Sequence, residues 1–260
     1  MQTLRAQRVL STFRGSTWPL LVEVAEPERR IVVKLRGSAE GLLPLIAELV
    51  VGALADAVGL PTPERYLVQL PVGVPTDDPH EELRDLLGRS YGLNLGLRFL
   101  DGFRNVTVGD AGRIPAELAA RIVWLDAFVQ NPDRTSRNPN LMIKAGQIWL
   151  IDHGAALHFH HDWRSVTEQA PRDAGNFVAE HLLQVTEQQL QAADAELAPK
   201  ISRDTLEQAL NSVPDAFFNA LGTDSPDRQR AAYVAYLRKR LHAPRPFVAA
   251  GKNVPFQFGR

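Results

Sequence analysis

Cysteine is absent from the 260 residues. That absence excludes disulfides, thiolate zinc sites, iron–sulfur clusters and cysteine nucleophiles, and it fits a reducing, cytoplasmic setting. Charge of one sign is not in excess either: 29 Lys and Arg stand against 30 Asp and Glu, a net charge of −1. No global electrostatic basis for binding nucleic acid follows from that balance. Long apolar runs are missing. The longest, residues 41–55, contains Pro44 and Glu48 and falls short of the ~20 residues a membrane span needs. The first ten residues carry Arg5 and Arg8 but no apolar stretch of signal-peptide type. A soluble protein with no targeting segment and no membrane contact is expected. Neither a Gly-x-Ser-x-Gly elbow nor a Gly-x-x-x-x-Gly-Lys-Ser/Thr loop occurs, which removes serine hydrolases of that type and P-loop NTPases.

Against these absences, hydrophobic residues make up 45% and charged residues 23%, the balance of a globular chain able to bury a real core. The length suits one large or two closely joined domains. Residues 7–10, 20–24 and 30–35 read as strands, with a polar turn at 11–17; Ile31, Val33 and Leu35 share one face of the third, and Val32, Lys34 and Arg36 the other. Apolar residues at three- and four-residue steps predict a helix over 39–58, stopped by Gly59 and the prolines behind it. Strands at 66–70 and 92–100 flank a short helix at 81–87, and Asp101-Gly102 forms a turn. Beyond it the pattern changes to helices at 115–130, 177–183, 187–195, 203–211 and 227–241, with one hairpin (141–143 with 148–151) and an irregular tail over 244–260. The fold class expected is α+β, in which a β-rich part, 1–102, precedes a mostly helical part, 103–260.

The most informative residues are ionisable groups in apolar surroundings. Lys34 is the one charge in 31–35, and Glu48 the one ionisable residue in 41–55. Either the two meet and satisfy each other, or Lys34 reaches solvent while Glu48 lies on a thin polar edge of its helix. A second cluster is the polar loop Asn131-Pro132-Asp133-Arg134-Thr135-Ser136-Arg137-Asn138-Pro139-Asn140. Nineteen residues after Asp133, the apolar strand Ile148-Trp149-Leu150-Ile151 runs straight into Asp152-His153-Gly154. A carboxylate at a strand end, with an Asn or Asp nearby, suits a hard divalent cation such as Mg²⁺.

Taken in order, strand-borne Lys34, helical Glu48, loop Asp133, Asn138 five residues on, and strand-terminal Asp152 before Gly154 resemble the two-lobed protein-kinase-like superfold. Within it, the Asp-Arg-Thr-x-x-Asn-Pro-Asn-Leu loop and the Trp-Leu-Ile-Asp-His-Gly strand resemble those of HipA-like kinases, as do residues 177–183 and 233–248. The resemblance implies an N-lobe over 1–102, a C-lobe over 103–260, and transfer of the γ-phosphoryl group of ATP, with Mg²⁺, to a hydroxyl. A bacterial protein acting on protein Ser or Thr is implied, with a small-molecule acceptor as the other option. Lys34 would hold the α- and β-phosphates with Glu48 orienting it. Asp133 would accept the hydroxyl's proton or position it. Asn138 and Asp152 would bind the metal, Asn140 being the alternative to Asn138. Ser16 and Thr17 would lie over the phosphates, and the adenine against Phe99, Leu100 and Asp101. Ser11, Thr12, Ser16 and Thr17 are near enough to be self-phosphorylation sites.

The sequence departs from the common kinase pattern in three places: Gly15 stands alone in 11–17, Asn131-Pro132 precedes Asp133, and His153 follows Asp152. A nucleotide-binding pseudokinase serving as a regulatory module is therefore the second hypothesis. Of the remaining polar residues, Arg134 and Arg137 are placed to meet phosphates, and Asp126, alone in an apolar helix, is read as a brace for the loop through backbone N–H groups. Trp124 and Trp149 read as core, and His153, His158, His160 and His161 as a segment without zinc-site spacing.

Overall fold

The computed structural model describes residues 1–13, 18–25, 29–222 and 224–251. Its elements are β1 (Thr3–Thr12), β2 (Leu20–Val24), β3 (Arg29–Lys34), α1 (Leu43–Ala57), β4 (Arg65–Leu70), α2 (Glu81–Ser90) and β5 (Gly92–Arg98). There follow β6 (Arg104–Asn105), α3 (Val108–Ala111), α4 (Ala116–Phe128), β7 (Leu141–Lys144), β8 (Gln147–Leu150), α5 (Glu187–Leu197), α6 (Arg203–Asn211), α7 (Asp215–Leu221) and α8 (Pro226–Leu241). The architecture is mixed α/β. The first five strands close into a barrel in the order β1-β2-β3-β5-β4, with β1 and β4 parallel, and β6-β7-β8 make a second sheet.

The barrel follows from alternation. Ile31, Val33 and Leu35 point inward with Leu20, Val22, Tyr66, Val68 and Leu70, while α2 covers this core with Leu83, Leu86 and Leu87. Every buried Leu or Val of this kind contributes roughly 1.5–3 kcal/mol. The interior tolerates no side chain on β5 at Gly96, where a Cβ would lie 2.5 Å from Val68 Cγ2 and 2.8 Å from Ile31 Cγ2. On the outer side, Val32, Leu95 and Leu97 join a different core, shared with α1, α4 and the later helices. Apolar nearly all round, α1 is buried on both sides and also packs on α6.

Several boundaries differ from the expected ones, each for a local reason. Helix α1 begins at Leu43 rather than at residue 39, because Pro44 is accommodated only in a first turn. Ser11 and Thr12 belong to β1, paired with Leu21 and Leu20 of β2, rather than to a turn. Residues 14–17, and with them the expected phosphate contacts of Ser16 and Thr17, lie outside the described residues, as do 252–260. Residues 177–183 are not helical: Leu182 N donates to Arg134 O (2.8 Å) and Leu183 N to His181 Nδ1 (2.9 Å), so these amides leave the helical ladder. The tail carries a short 3₁₀ turn, Pro246–Ala250, that buries Phe247 and Val248. Among the described residues, no helix is long and apolar enough to cross a membrane.

The β7–β8 hairpin delivers the site strand. Ala145 and Gly146 have φ of +48° and +81°, the left-handed pair a tight I′ turn requires. Leu141 pairs with Leu150, and Ile151 N donates to Asn140 O (3.1 Å), placing the start and end of the hairpin side by side.

Candidate active site

Lys34 projects from the outer face of β3 and its Nζ donates to Glu48 Oε1 of α1 and, at 2.6 Å, to Asp152 Oδ1. Of the two sequence alternatives for Lys34 and Glu48, the structure thus has the pairing, and both are buried. Glu48 Oε1 also accepts from His153 N at 2.8 Å, which ties the strand end to the helix. Burial works against the Lys34 charge, but Glu48 and Asp152 outweigh it and raise its pKa above the ordinary lysine value. Asp152 is lowered: burial raises it, and the Lys34 ammonium overrides that. Its side chain remains 46% exposed, so one edge of the carboxylate faces outward. Asp152 has φ of +55°, a left-handed conformation of the kind retained at functional sites at a cost of about 1–3 kcal/mol. Gly154 lets the chain pass the start of α1, since a Cβ there would sit 3.2 Å from Pro44 Cβ.

The loop after α4 forms the second half. Asp133 Oδ2 accepts from Asn138 Nδ2 (2.8 Å) and Asn140 Nδ2 (3.2 Å), and Asn140 Nδ2 also donates to Asp133 O (2.8 Å). Asn138 is exposed, whereas Asn140 is buried and left-handed, with φ of +48°. Asp133 N in turn donates to Asn131 Oδ1 (3.1 Å).

Beneath the loop lies a sealed ionic centre. Asp126 accepts from Arg134 Nε (2.6 Å), Arg134 Nη2 (3.3 Å), Asn131 Nδ2 (2.8 Å) and His181 Nε2 (3.0 Å). Burial would raise the Asp126 pKa; Arg134 and His181 instead hold it well below the carboxylate range. Arg134 continues outward, donating to Asn140 O, to Ile151 O (3.4 Å) and to His153 Nδ1 (3.4 Å). One guanidinium therefore joins the loop that carries Asp133 to the strand that carries Asp152. Burial, with Arg134 and Lys34 nearby, pushes His153 down to about 3, so its ring is neutral. These contacts correct two expectations. Arg134 is completely buried and does not meet phosphate, and Asp126 braces the loop through the side chains of Asn131, Arg134 and His181 rather than through backbone N–H groups.

The sequence reading missed His181. Its signal was a lone histidine among Val178, Leu182 and Leu183, which also fits a core histidine. Leu183 N donates to Nδ1, which leaves the ring proton on Nε2 for Asp126. The connector after β5 is anchored by Phe99 N on Arg30 O (3.3 Å) and by Lys144 Nζ on Asp101 O (2.8 Å), with the Arg30 guanidinium 4.7 Å from the Phe99 ring centre. Leu100 is buried. A cavity of about 370 Å³ opens beside Phe99 and Asp101, lined also by Arg30, Tyr66 and Arg98, and none of the Lys34 group borders it. Trp124 is core, stacked on Phe128 at 5.4 Å, while Trp149 is half-buried, edge-on to Phe103.

A family model described as HipA-like kinase matches residues 10–232. Among solved structures, that of a Helicobacter pylori proinflammatory kinase, CtkA, is similar with a TM-score of 0.59 at 10% sequence identity, covering 96% of each chain. At that identity the likeness is one of fold. No curated protein gives a significant match. The family match spans the strand of Lys34, the loop of Asp133, the strand end at Asp152 and the first turns of α8, and on that ground the chain belongs to the HipA-like kinase family.

Proposed function

We propose that the protein is an ATP- and Mg²⁺-dependent phosphotransferase with a two-lobed arrangement, residues 1–102 forming the nucleotide-binding lobe and 103–260 the catalytic one. The observation that carries this reading is the convergence of Glu48 and Asp152 on Lys34. Such a cation, held charged between two carboxylates, is ready to exchange one of them for phosphate oxygens. Lys34 holds the α- and β-phosphates and Glu48 keeps it in place.

The donor set fits Mg²⁺, a hard ion that takes one or two carboxylates and neutral oxygens. Asp152 offers its exposed carboxylate edge, and Asn138, whose amide nitrogen is engaged by Asp133, offers its carbonyl oxygen. Asn140 is less suited, being buried and occupied with the backbone of Asp133. The metal would neutralise charge on the phosphates. Asp133 orients the acceptor hydroxyl and takes its proton as the γ-phosphoryl–oxygen bond forms, and ADP leaves with the bridging oxygen. Catalysis of this kind is mostly positioning, which the Asp126–Arg134 centre supplies from below. The adenine lies against Phe99, Leu100 and Asp101. Family membership favours a protein Ser or Thr as acceptor.

The test is thermal unfolding with ATP, with and without Mg²⁺, on the wild type, Asp152→Ala and Asp133→Asn. A ligand at 100 times its Kd stabilises by about 2.7 kcal/mol. The wild type should gain a Mg²⁺-dependent rise in midpoint that Asp152→Ala loses. Asp133→Asn should keep the rise and lose phosphate transfer by about 10²–10⁴-fold. No shift in any of the three proteins would end this reading; a shift without transfer in the wild type would leave a nucleotide-binding module.

A further inference from the structure

Helix α8 carries an arginine in an unusual setting. Arg240 is 1% exposed and none of its hydrogen bonds goes to a carboxylate; Nε donates to Phe128 O (2.8 Å), Nη2 to Ala127 O (2.7 Å), and Nη1 to Pro171 O (3.2 Å) and Asp173 O (2.6 Å). Its guanidinium also lies 4.9 Å from the centre of the Phe247 ring. A buried cation with no carboxylate in hydrogen-bond reach is expensive, and the nearby Asp173 carboxylate offsets the burial only in part. Part of the compensation comes from the last turn of α4, whose carbonyls bear the negative end of the helix dipole. That turn leads directly into the loop of Asp133. The other two carbonyls belong to the segment that follows Asp152.

The same face of α8 holds that segment along its length. Phe159 stacks on Tyr236, with ring centres 3.7 Å apart and planes inclined by 21°. His160 Nδ1 is 3.0 Å from Tyr233 Oη, Trp163 packs edge-on to Tyr233 at 5.1 Å, and Lys239 pairs with Glu168. Tyr236 Oη, meanwhile, donates to Gln130 Oε1 at the exit of α4, where Gln130 is left-handed with φ of +55°. Thus α8 grips the start of the Asp133 loop with one set of groups and residues 159–173 with another, and Arg240 belongs to both.

We infer that Arg240 is a positioning residue that locks the segment around 159–173 onto the base of the Asp133 loop, so that α8 sets the geometry of that loop. The inference rests on the kinase reading for its catalytic consequence but not for its structural one. A lysine at this position keeps the charge yet cannot span four carbonyls on two segments.

The experiment compares wild type and Arg240→Lys by amide hydrogen exchange and by ADP formation from ATP and Mg²⁺, water serving as acceptor. The inference expects faster exchange in the variant at Ala170, Arg172 and Asp173, whose amides are hydrogen-bonded within the segment, and unchanged exchange in the barrel. It also expects kcat to fall about 10- to 100-fold, the scale of a misplacement near 1 Å, with the KM for ATP unchanged. Slowed turnover with KM raised alike, or exchange accelerated everywhere, would mean general destabilisation and overturn it; so would a variant identical to wild type in exchange. If the wild type forms no ADP with water, the exchange comparison alone decides the clamp, and the kinase reading is judged by the ATP-induced shift in unfolding midpoint. Should Arg240→Lys not fold, the wild type itself decides: these three amides must exchange with the protection of α8, and amides opening far more readily than α8 refute the lock.

Discussion

Two groups of buried charge lie on either side of His153, and they are built differently. In the Asp126–Arg134–His181 group all three side chains are at most 1% exposed, and Asp126 accepts from four donor atoms. In the Lys34–Glu48–Asp152 group two members are buried, but the third keeps 46% of its side chain exposed. A carboxylate surrounded by its donors has no capacity left for a ligand, and its role is to hold the loop in one shape. The half-open group has a cation held between two carboxylates and one carboxylate edge facing outward, the opening that the proposed nucleotide site needs. Similar ion pairs thus divide into scaffold and candidate site according to which one water can reach.

The strongest way to break this contrast is at Arg134. Arg134→Leu should leave Asp126 buried with its main partner gone and cost about 3–5 kcal/mol in denaturant unfolding. A loss below about 1 kcal/mol would mean that the sealed group is no scaffold. Lys34→Met tests the other side. Glu48 can accommodate the loss by taking up a proton, its burial already pushing its pKa upward, so the expected stability cost is smaller, about 1–3 kcal/mol. ATP-induced stabilisation should disappear, and its survival would separate Lys34 from nucleotide binding.

A pH titration sharpens the comparison, using a buried group that belongs to neither centre. Burial, with His161 and His158 nearby, pushes His160 down to about 3, against an unfolded value of roughly 6.5. Between those values the unfolded chain binds a proton that the folded chain refuses. The stabilisation is fully present above pH 6.5 and declines as pH falls toward 3. His160→Gln should flatten the stability profile in that window while leaving stability at pH 8 within about 1–2 kcal/mol; an unchanged slope would show that His160 does not contribute. The smallest effects are expected at the two asparagines. Asn138→Ala, at an exposed position, should alter stability by less than about 0.5 kcal/mol while weakening the Mg²⁺ dependence of ATP binding. Asn140→Ala should show the reverse, losing about 1–2 kcal/mol through its left-handed backbone and its bonds to Asp133.

What the sequence made readable follows the same division. Lone charges in apolar runs mark Lys34 and Glu48 because neither has a local partner, so the search for one crosses the chain and finds few options. Asp126 carries the same mark, but its partners do not. Arg134 sits in a loop dense with polar residues, where nothing distinguishes a buried guanidinium from a solvated one, and His181 is 55 residues away. The misreading of 177–183 as helix has the same root. Val178, Leu182 and Leu183 have helical spacing, yet the amides of Leu182 and Leu183 are satisfied by Arg134 O and by the His181 ring, which no periodicity reveals. The barrel strands and most later helices were readable because their alternation and capping are local. The short turns between residues 158 and 172 were not, since they are shaped by the face of α8 that they cover.

One consequence of how α1 is seated remains. Its apolar surface merges with α4 and α6 as well as with the outer face of β5, so Glu48 rides on the helical body, as does Asp152, while Lys34 rides on the barrel. The cation and its two carboxylates therefore come from three different elements that share one packed core. Any displacement of the barrel that widens the space between the two would have to pull Lys34 from both carboxylates, a cost that added salt moderates little because the Lys34–Glu48 pair is buried.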